Sequence, residues 1–251
     1  MSGDDGLWRN RSLWHRVDSK GLFVRRGEMA DQRSAAGFIR AVPIVALCVV
    51  AACDDDSESA RGSGVTVSEE RDVAGFSEVT LEGSGDLRVD VGDRESLTIE
   101  ADDNLLELIS SEVTGSRLVI DHERSLDPTA DIVYRIGAID FDGVSIAGSA
   151  DVVAPDLSCD VFSVSVAGSG SLDLDGSCEG LEVDIAGSGD LDASGLVVDR
   201  ADVSITGSGD VVVNAAEQLR VSITGSGDVH YLGDPATDID IRGSGNVRQG
   251  S

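Results

Sequence analysis

From Val144 to Val247 apolar and polar residues alternate with a period of two, and the alternation restarts six times around a short glycine phrase. The copies are IAGSADV (146–152), VAGSGSL (166–172), IAGSGDL (185–191), ITGSGDV (205–211), ITGSGDV (223–229) and IRGSGNV (241–247); a seventh, LEGSGDL, stands apart at 81–87. Take the first glycine of each copy as the reference. Four residues before it stand Val144, Val164, Val183, Val203, Val221 and Ile239. Two before it stand Ile146, Val166, Ile185, Ile205, Ile223 and Ile241, and four after it Val152, Leu172, Leu191, Val211, Val229 and Val247. These residues share one parity and are mostly β-branched, which predicts strands with one buried face; a helix would space them three and four apart.

The first glycines fall at 148, 168, 187, 207, 225 and 243, so the repeat is 18–20 residues long. A fixed period of this size with strand-like filling predicts an all-β fold, a parallel β-helix or β-solenoid, in which each coil stacks on the last at about 4.8 Å. Strands of about five residues flank a bend at the glycines, where the wall comes too near the core for a side chain. A β-sandwich also accommodates short strands, but it has no need of identical phrases at a fixed interval. Only 4% of the residues are aromatic, which suits a narrow aliphatic core.

The cysteines test this register. Cys159 and Cys178 each lie nine residues before a reference glycine, so stacking puts their Cα atoms about 4.8 Å apart, within the range of about 4.4–6.8 Å that a disulfide accepts. Such a bond needs an oxidising compartment. Residues 41–52, AVPIVALCVVAA, are too short to cross a bilayer but fit the core of a signal peptide, with Arg33 and Arg40 ahead of them. The ending Val50-Ala51-Ala52-Cys53 resembles a bacterial lipobox, which implies cleavage after Ala52 and lipidation of Cys53. A leader running over 29–52 has an ordinary length. Residues 1–28 then read as an N-terminal extension from a start codon assigned too far upstream, and 53–70 as an acidic flexible tether ahead of a β-solenoid domain at 71–251.

Charge narrows the partners. Without residues 1–52 the chain has 11 arginines, no lysine and 42 acidic residues, a formal charge of −31. That surface repels nucleic acid and anionic headgroups, and attracts cations or basic partners; solubility in salt is the plainer account.

The segment 71–143 alternates less regularly and is expected to supply amino-terminal coils and a cap, with a turn or short helix near Asn104–Leu108. Its opening Val-x-Gly-Phe-Ser (73–77), the stretch ADDNLLELISSEVTGSRLVI (101–120) and the serial GSGD-Val/Leu units together resemble the autotransporter adhesin head GIN-domain family over about residues 71–248. The resemblance implies a shape like pectin-lyase-type β-helices, no catalytic residues, and a role in adhesion.

Parity places two further columns outside: Ser149, Ser169, Ser188, Ser208, Ser226, Ser244, and Asp151, Ser171, Asp190, Asp210, Asp228, Asn246. Asp190, Asp210 and Asp228 fall on consecutive rungs, where carboxylates about 4.8 Å apart repel by about 0.9 kcal/mol in water. Serine hydroxyls, turn amides or a Ca²⁺ ladder on Asp190, Asp210 and Asp228 would offset this; Ca²⁺ wants six to eight oxygens, and the Gly-Gly-x-Gly-x-Asp pattern of calcium-binding rolls is missing. No GxSxG elbow, P-loop, GxGxxG helix or zinc spacing occurs. Arg200, Arg220 and Arg242 occupy different positions of the repeat and do not converge on a lyase-like base. The expectation is a non-catalytic, lipid-anchored β-solenoid of the bacterial cell envelope, without a required cofactor, that binds a glycan, protein or surface. The alternatives are a structural solenoid binding divalent cations and a degenerate carbohydrate-active β-helix.

Overall fold

The computed structural model describes residues 59–250; the lipobox and leader readings lie outside them. The strands are β1 (Ala60–Arg61), β2 (Thr66–Arg71), β3 (Glu78–Val91), β4 (Ser96–Asp102), β5 (Ile109–Thr114), β6 (Arg117–His122), β7 (Leu126–Asp127) and β8 (Val133–Ala138). The repeats follow as β9 (Gly143–Gly168), β10 (Ser171–Gly187), β11 (Asp190–Gly207), β12 (Val211–Gly225), β13 (Val229–Leu232), β14 (Ala236–Gly243) and β15 (Val247–Gln249). A 3₁₀ turn at Leu106–Leu108 occupies the place expected for a turn or short helix.

The chain is a β-solenoid. β9, β10, β11 and β12 pair in parallel, each with the next, while β13 and β14 cover the two halves of β12 and β15 covers β13. Pairing continues through the corners, so a coil is one long bent strand, 26 residues in β9, instead of the short strands expected. Equivalent residues lie in register: Ile185 pairs with Val166 and Ile205, and Ile223 with Ile205 and Ile241. The resulting inner columns are almost fully buried, Ile205 at 1% exposure and Ile223 at 0%. Variation in repeat length is absorbed between the two halves of each coil, where the register slips at 173–176 and 193–200, while the glycine corner keeps step.

The phrase at 81–87 does not stand apart in space. β3 lies parallel to β9 with Leu81 on Ile146, Gly83 on Gly148, Asp86 on Asp151 and Leu87 on Val152. It is the first rung, and the excess of the 65-residue spacing from Gly83 to Gly148 over a normal coil of 18–20 is spent on the cap. On its other side β3 is covered by β6 along one half and β8 along the other. Antiparallel pairings of β5 with β6, β4 with β8 and β2 with β4 then close this end.

Two expectations need correction. The reference glycines lie at the glycine corner for the sake of the neighbouring rung, not the core. Gly148, Gly168, Gly187, Gly207, Gly225 and Gly243 have φ between +139° and +149°, and a Cβ on Gly207 would lie 2.0 Å from the Gly187 carbonyl oxygen. Such a φ is one that L side chains rarely adopt, so only glycine fits. The second correction concerns the tether. Residues 60–61 and 66–71 are strands, paired with β7 and β4. Fully buried Asp102 holds them down, accepting hydrogen bonds from the Gly64 N–H (2.8 Å), the Thr129 N–H (2.8 Å) and the Thr129 hydroxyl (2.7 Å). Small polar residues, which looked too poor in apolar surface to pack, are fastened here by a buried carboxylate with its acceptors satisfied.

The disulfide between Cys159 and Cys178 is present, with Cα atoms 4.7 Å apart on paired positions of β9 and β10.

Candidate binding face

The outward column three residues past each reference glycine forms a continuous ladder at one corner. Seven rungs contribute: Asp86, Asp151, Ser171, Asp190, Asp210, Asp228 and Asn246. The repulsion between neighbouring carboxylates is met by main-chain amides of the following rung. The Asp210 N–H donates to Asp190 Oδ1 (2.9 Å), the Asp228 N–H to Asp210 Oδ1 (3.0 Å), and the Asn246 N–H to Asp228 Oδ1 (2.8 Å). At the front, Asp151 Oδ1 accepts from both the N–H and the hydroxyl of Ser171 (3.2 and 2.6 Å). Of the offsets expected, the amide recurs along the ladder and comes from the next coil, joined at Asp151 by the Ser171 hydroxyl. Each bond leaves the carboxylate's second oxygen available to solvent or a ligand.

The last rung shows why it carries Asn. Asn246 stands on the last described rung, and its side-chain Nδ2 turns back to donate to Asp228 Oδ1 at 2.9 Å. This amide, followed by the Asn246 main-chain N–H, holds the Asp228 carboxyl below the usual carboxylate range. At the other end burial, then the neighbouring charges of Asp151 and Asp131, push Asp86 up against the pull of Arg88. Among the described residues no group of three His, Cys, Asp or Glu side chains is placed to hold a metal ion.

Beside the ladder runs a shallow depression of about 560 Å³, lined by Val153, Asp173, Asp192 and Val212 as well as ladder residues. Val153 is 46% exposed, so the floor joins apolar and acidic positions. The Asp192 carboxyl is held below its ordinary value by the Ser194 hydroxyl and N–H.

Arg200 and Arg220, read as scattered, border a second depression of about 440 Å³ with Glu182, Asp202 and Asp238. Arg220 sits between Asp202 (3.1 Å) and Asp238 (3.6 Å), and the Asp202 hydrogen bond and charge raise its affinity for its proton. An arginine so paired is a poor general base. Arg242 lies apart, paired with Asp240 at 2.6 Å.

Sequence reasoning missed one polar pair, a half-buried histidine against a buried tyrosine. His122 Nε2 meets the Tyr134 hydroxyl at 2.7 Å, and a Cβ on Gly83 or Gly85 would run into the His122 or Tyr134 ring. The two rings therefore fill the place below the first glycine phrase that a preceding rung fills elsewhere. Burial pushes the His122 pKa down and the Tyr134 pKa up. Both residues occur once in a non-repeating segment, so periodicity gave no hint of them.

A family model described as "Putative auto-transporter adhesin, head GIN domain" matches residues 75–235. The chain belongs to this family. Solved structures are also similar to the GIN-domain chain, the first of them at the level of fold. A "putative adhesin" from Bacteroides fragilis is 19% identical, with a TM-score of 0.63, over 75% of this chain and 99% of that one. A "putative lipid binding protein" from Parabacteroides distasonis is 22% identical over 77% and 100% of the two chains, at a TM-score of 0.47. A "putative adhesin" from the same species is 19% identical over 77% and 100%, at 0.45. No curated protein matches the sequence. No helix among the described residues is long and apolar enough to cross a membrane.

Proposed function

We propose that this GIN-domain chain is a non-catalytic adhesion module of a bacterial envelope, held to the membrane through a lipid on Cys53, and that it binds through the carboxylate ladder and its neighbouring depression. One observation carries the reading: the carboxylates of Asp190, Asp210 and Asp228 recur on consecutive rungs with one oxygen fixed by the next coil's amide. Such a face is rigid before any ligand arrives, which lowers the ordering cost of binding. It suits a repetitive partner that offers hydroxyl or cationic groups, a glycan chain or a basic protein segment. The family description and the adhesin-named structural relatives favour adhesion over turnover, and the proton-saturated Arg220 offers no base for a lyase.

The test is a glycan array and a whole-cell pull-down with the unit Cys53–Ser251, set beside the triple variant Asp190→Asn, Asp210→Asn, Asp228→Asn. Asparagine keeps an oxygen for each rung amide while removing the charge. Binding by the parent and at least tenfold weaker capture by the triple variant, at unchanged melting temperature, is expected; equal capture would reject the ladder as the site. Anchoring is tested separately: Cys53→Ala should move the protein from the membrane fraction to the soluble one, and an unchanged distribution would remove the lipid.

A further inference from the structure

The two ends of the solenoid are finished differently. The amino end is closed by antiparallel strands and the His122–Tyr134 pair. At the other end β14 is an edge strand in which every residue is exposed. Its inward positions continue the core columns: Val221 and Ile223 are 1% and 0% exposed on the preceding rung, but Ile239 and Ile241 are 42% and 38% exposed. The corner main chain is equally open. On earlier rungs the glycine carbonyl accepts the serine N–H of the next coil, as Gly225 does from Ser244 at 2.8 Å; Gly243 occupies that position with no described coil beyond it. An uncovered edge with an apolar inner face is a template for another strand.

We propose that β14 is a self-association surface, on which a second copy of this chain pairs edge to edge about a two-fold axis. The choice of occupant follows from the ends. Among the described residues the amino end offers no bare parallel rung, since β3 is covered by β6 and β8, and its free edge strand β2 is polar and mostly exposed, so the apolar edge of β14 is best matched by its own copy. A two-fold pairing uses up both edges and closes at a dimer. Antiparallel pairing centred on Ile241 sets Ile241 against its own copy and Asp240 of each chain against Arg242 of the other. Centring on Asp240 would oppose like charges. The first register is therefore favoured by charge as well as by apolar contact. The dimer would display two ladder faces on one particle, which raises avidity for a repetitive surface.

Sedimentation velocity on the full chain tests this. The unmodified protein should shift from about 26 kDa toward twice that mass as its concentration rises through the micromolar range, and should stop there. Ile241→Asp should remain monomeric. Because that change could also loosen the last rung, a charge exchange gives an independent readout. Asp240→Arg alone and Arg242→Asp alone should each weaken the dimer at least fivefold, and the double exchange should restore it, with circular dichroism unchanged throughout. A monomer at all concentrations, which would leave the edge to a different partner, overturns the proposal. So does growth beyond a dimer, or failure of the double exchange to recover association.

Discussion

Replacing Gly207 by alanine isolates what holds one coil to the next. Gly207 has φ +141°, and an added Cβ would lie 2.0 Å from the Gly187 carbonyl oxygen. Placing an L residue at positive φ costs about 1–2 kcal/mol. The contact with main chain has no side chain to yield, so the two rungs must separate. Separation weakens the Ser208 N–H to Gly187 carbonyl bond (2.8 Å) and the Asp210 N–H to Asp190 carboxylate bond (2.9 Å), each worth about 1 kcal/mol. The expected loss is about 3–4 kcal/mol. Gly75 is the control: its φ is +82°, but nothing lies within 4 Å of an added Cβ, so alanine there should cost only the backbone strain, about 1–2 kcal/mol. Urea unfolding of the two variants, compared at constant slope, measures the difference. If Gly207→Ala is no more destabilising than Gly75→Ala, close rung contact is not why glycine is required.

Other outcomes follow from separate parts of the molecule. Reducing the Cys159–Cys178 bond, or substituting Cys178→Ser, should lower stability by about 3 kcal/mol, the loop-closure value for about 20 residues, read by urea melts with and without reductant. Burial depresses the His122 pKa, so the unfolded chain binds its proton more readily. Its contribution to stability is complete above about pH 6.5, the ordinary histidine value, and falls as pH drops below that. Melting temperature against pH should show this slope, and His122→Gln should flatten it. Asp102→Ala should free residues 59–70 from β4 and the Thr129 turn, seen as new protease cleavage there while the coils from β9 onward stay protected.

Much of the fold was legible because it is periodic. Ile146, Val166, Ile185, Ile205 and Ile223 name their own column, and the matching offsets of Cys159 and Cys178 announce their contact. Position in the repeat also placed Asp190, Asp210 and Asp228 outside and on successive rungs. Three things were not legible. The 81–87 phrase matches the others, but its seat on β9 depends on how β4, β5, β6 and β8 fold around it, a matter of long-range pairing. The role of the glycines as seats for a neighbouring carbonyl needs the φ value and the distance, neither of which parity contains. Segment 59–70 has the composition of a linker, and its pairing with β7 and β4, together with the buried Asp102 about forty residues away, makes it part of the domain.

The slips at 173–176 and 193–200 give this architecture a tolerant seam and an intolerant one. A residue gained or lost between the halves of a coil is swallowed locally, whereas one gained or lost at the glycine corner would throw every later carbonyl out of line. Whole coils can therefore be duplicated or excised by recombination between like phrases without disturbing their neighbours. The length of the molecule, and with it the reach of its binding face, is open to change in steps of one coil.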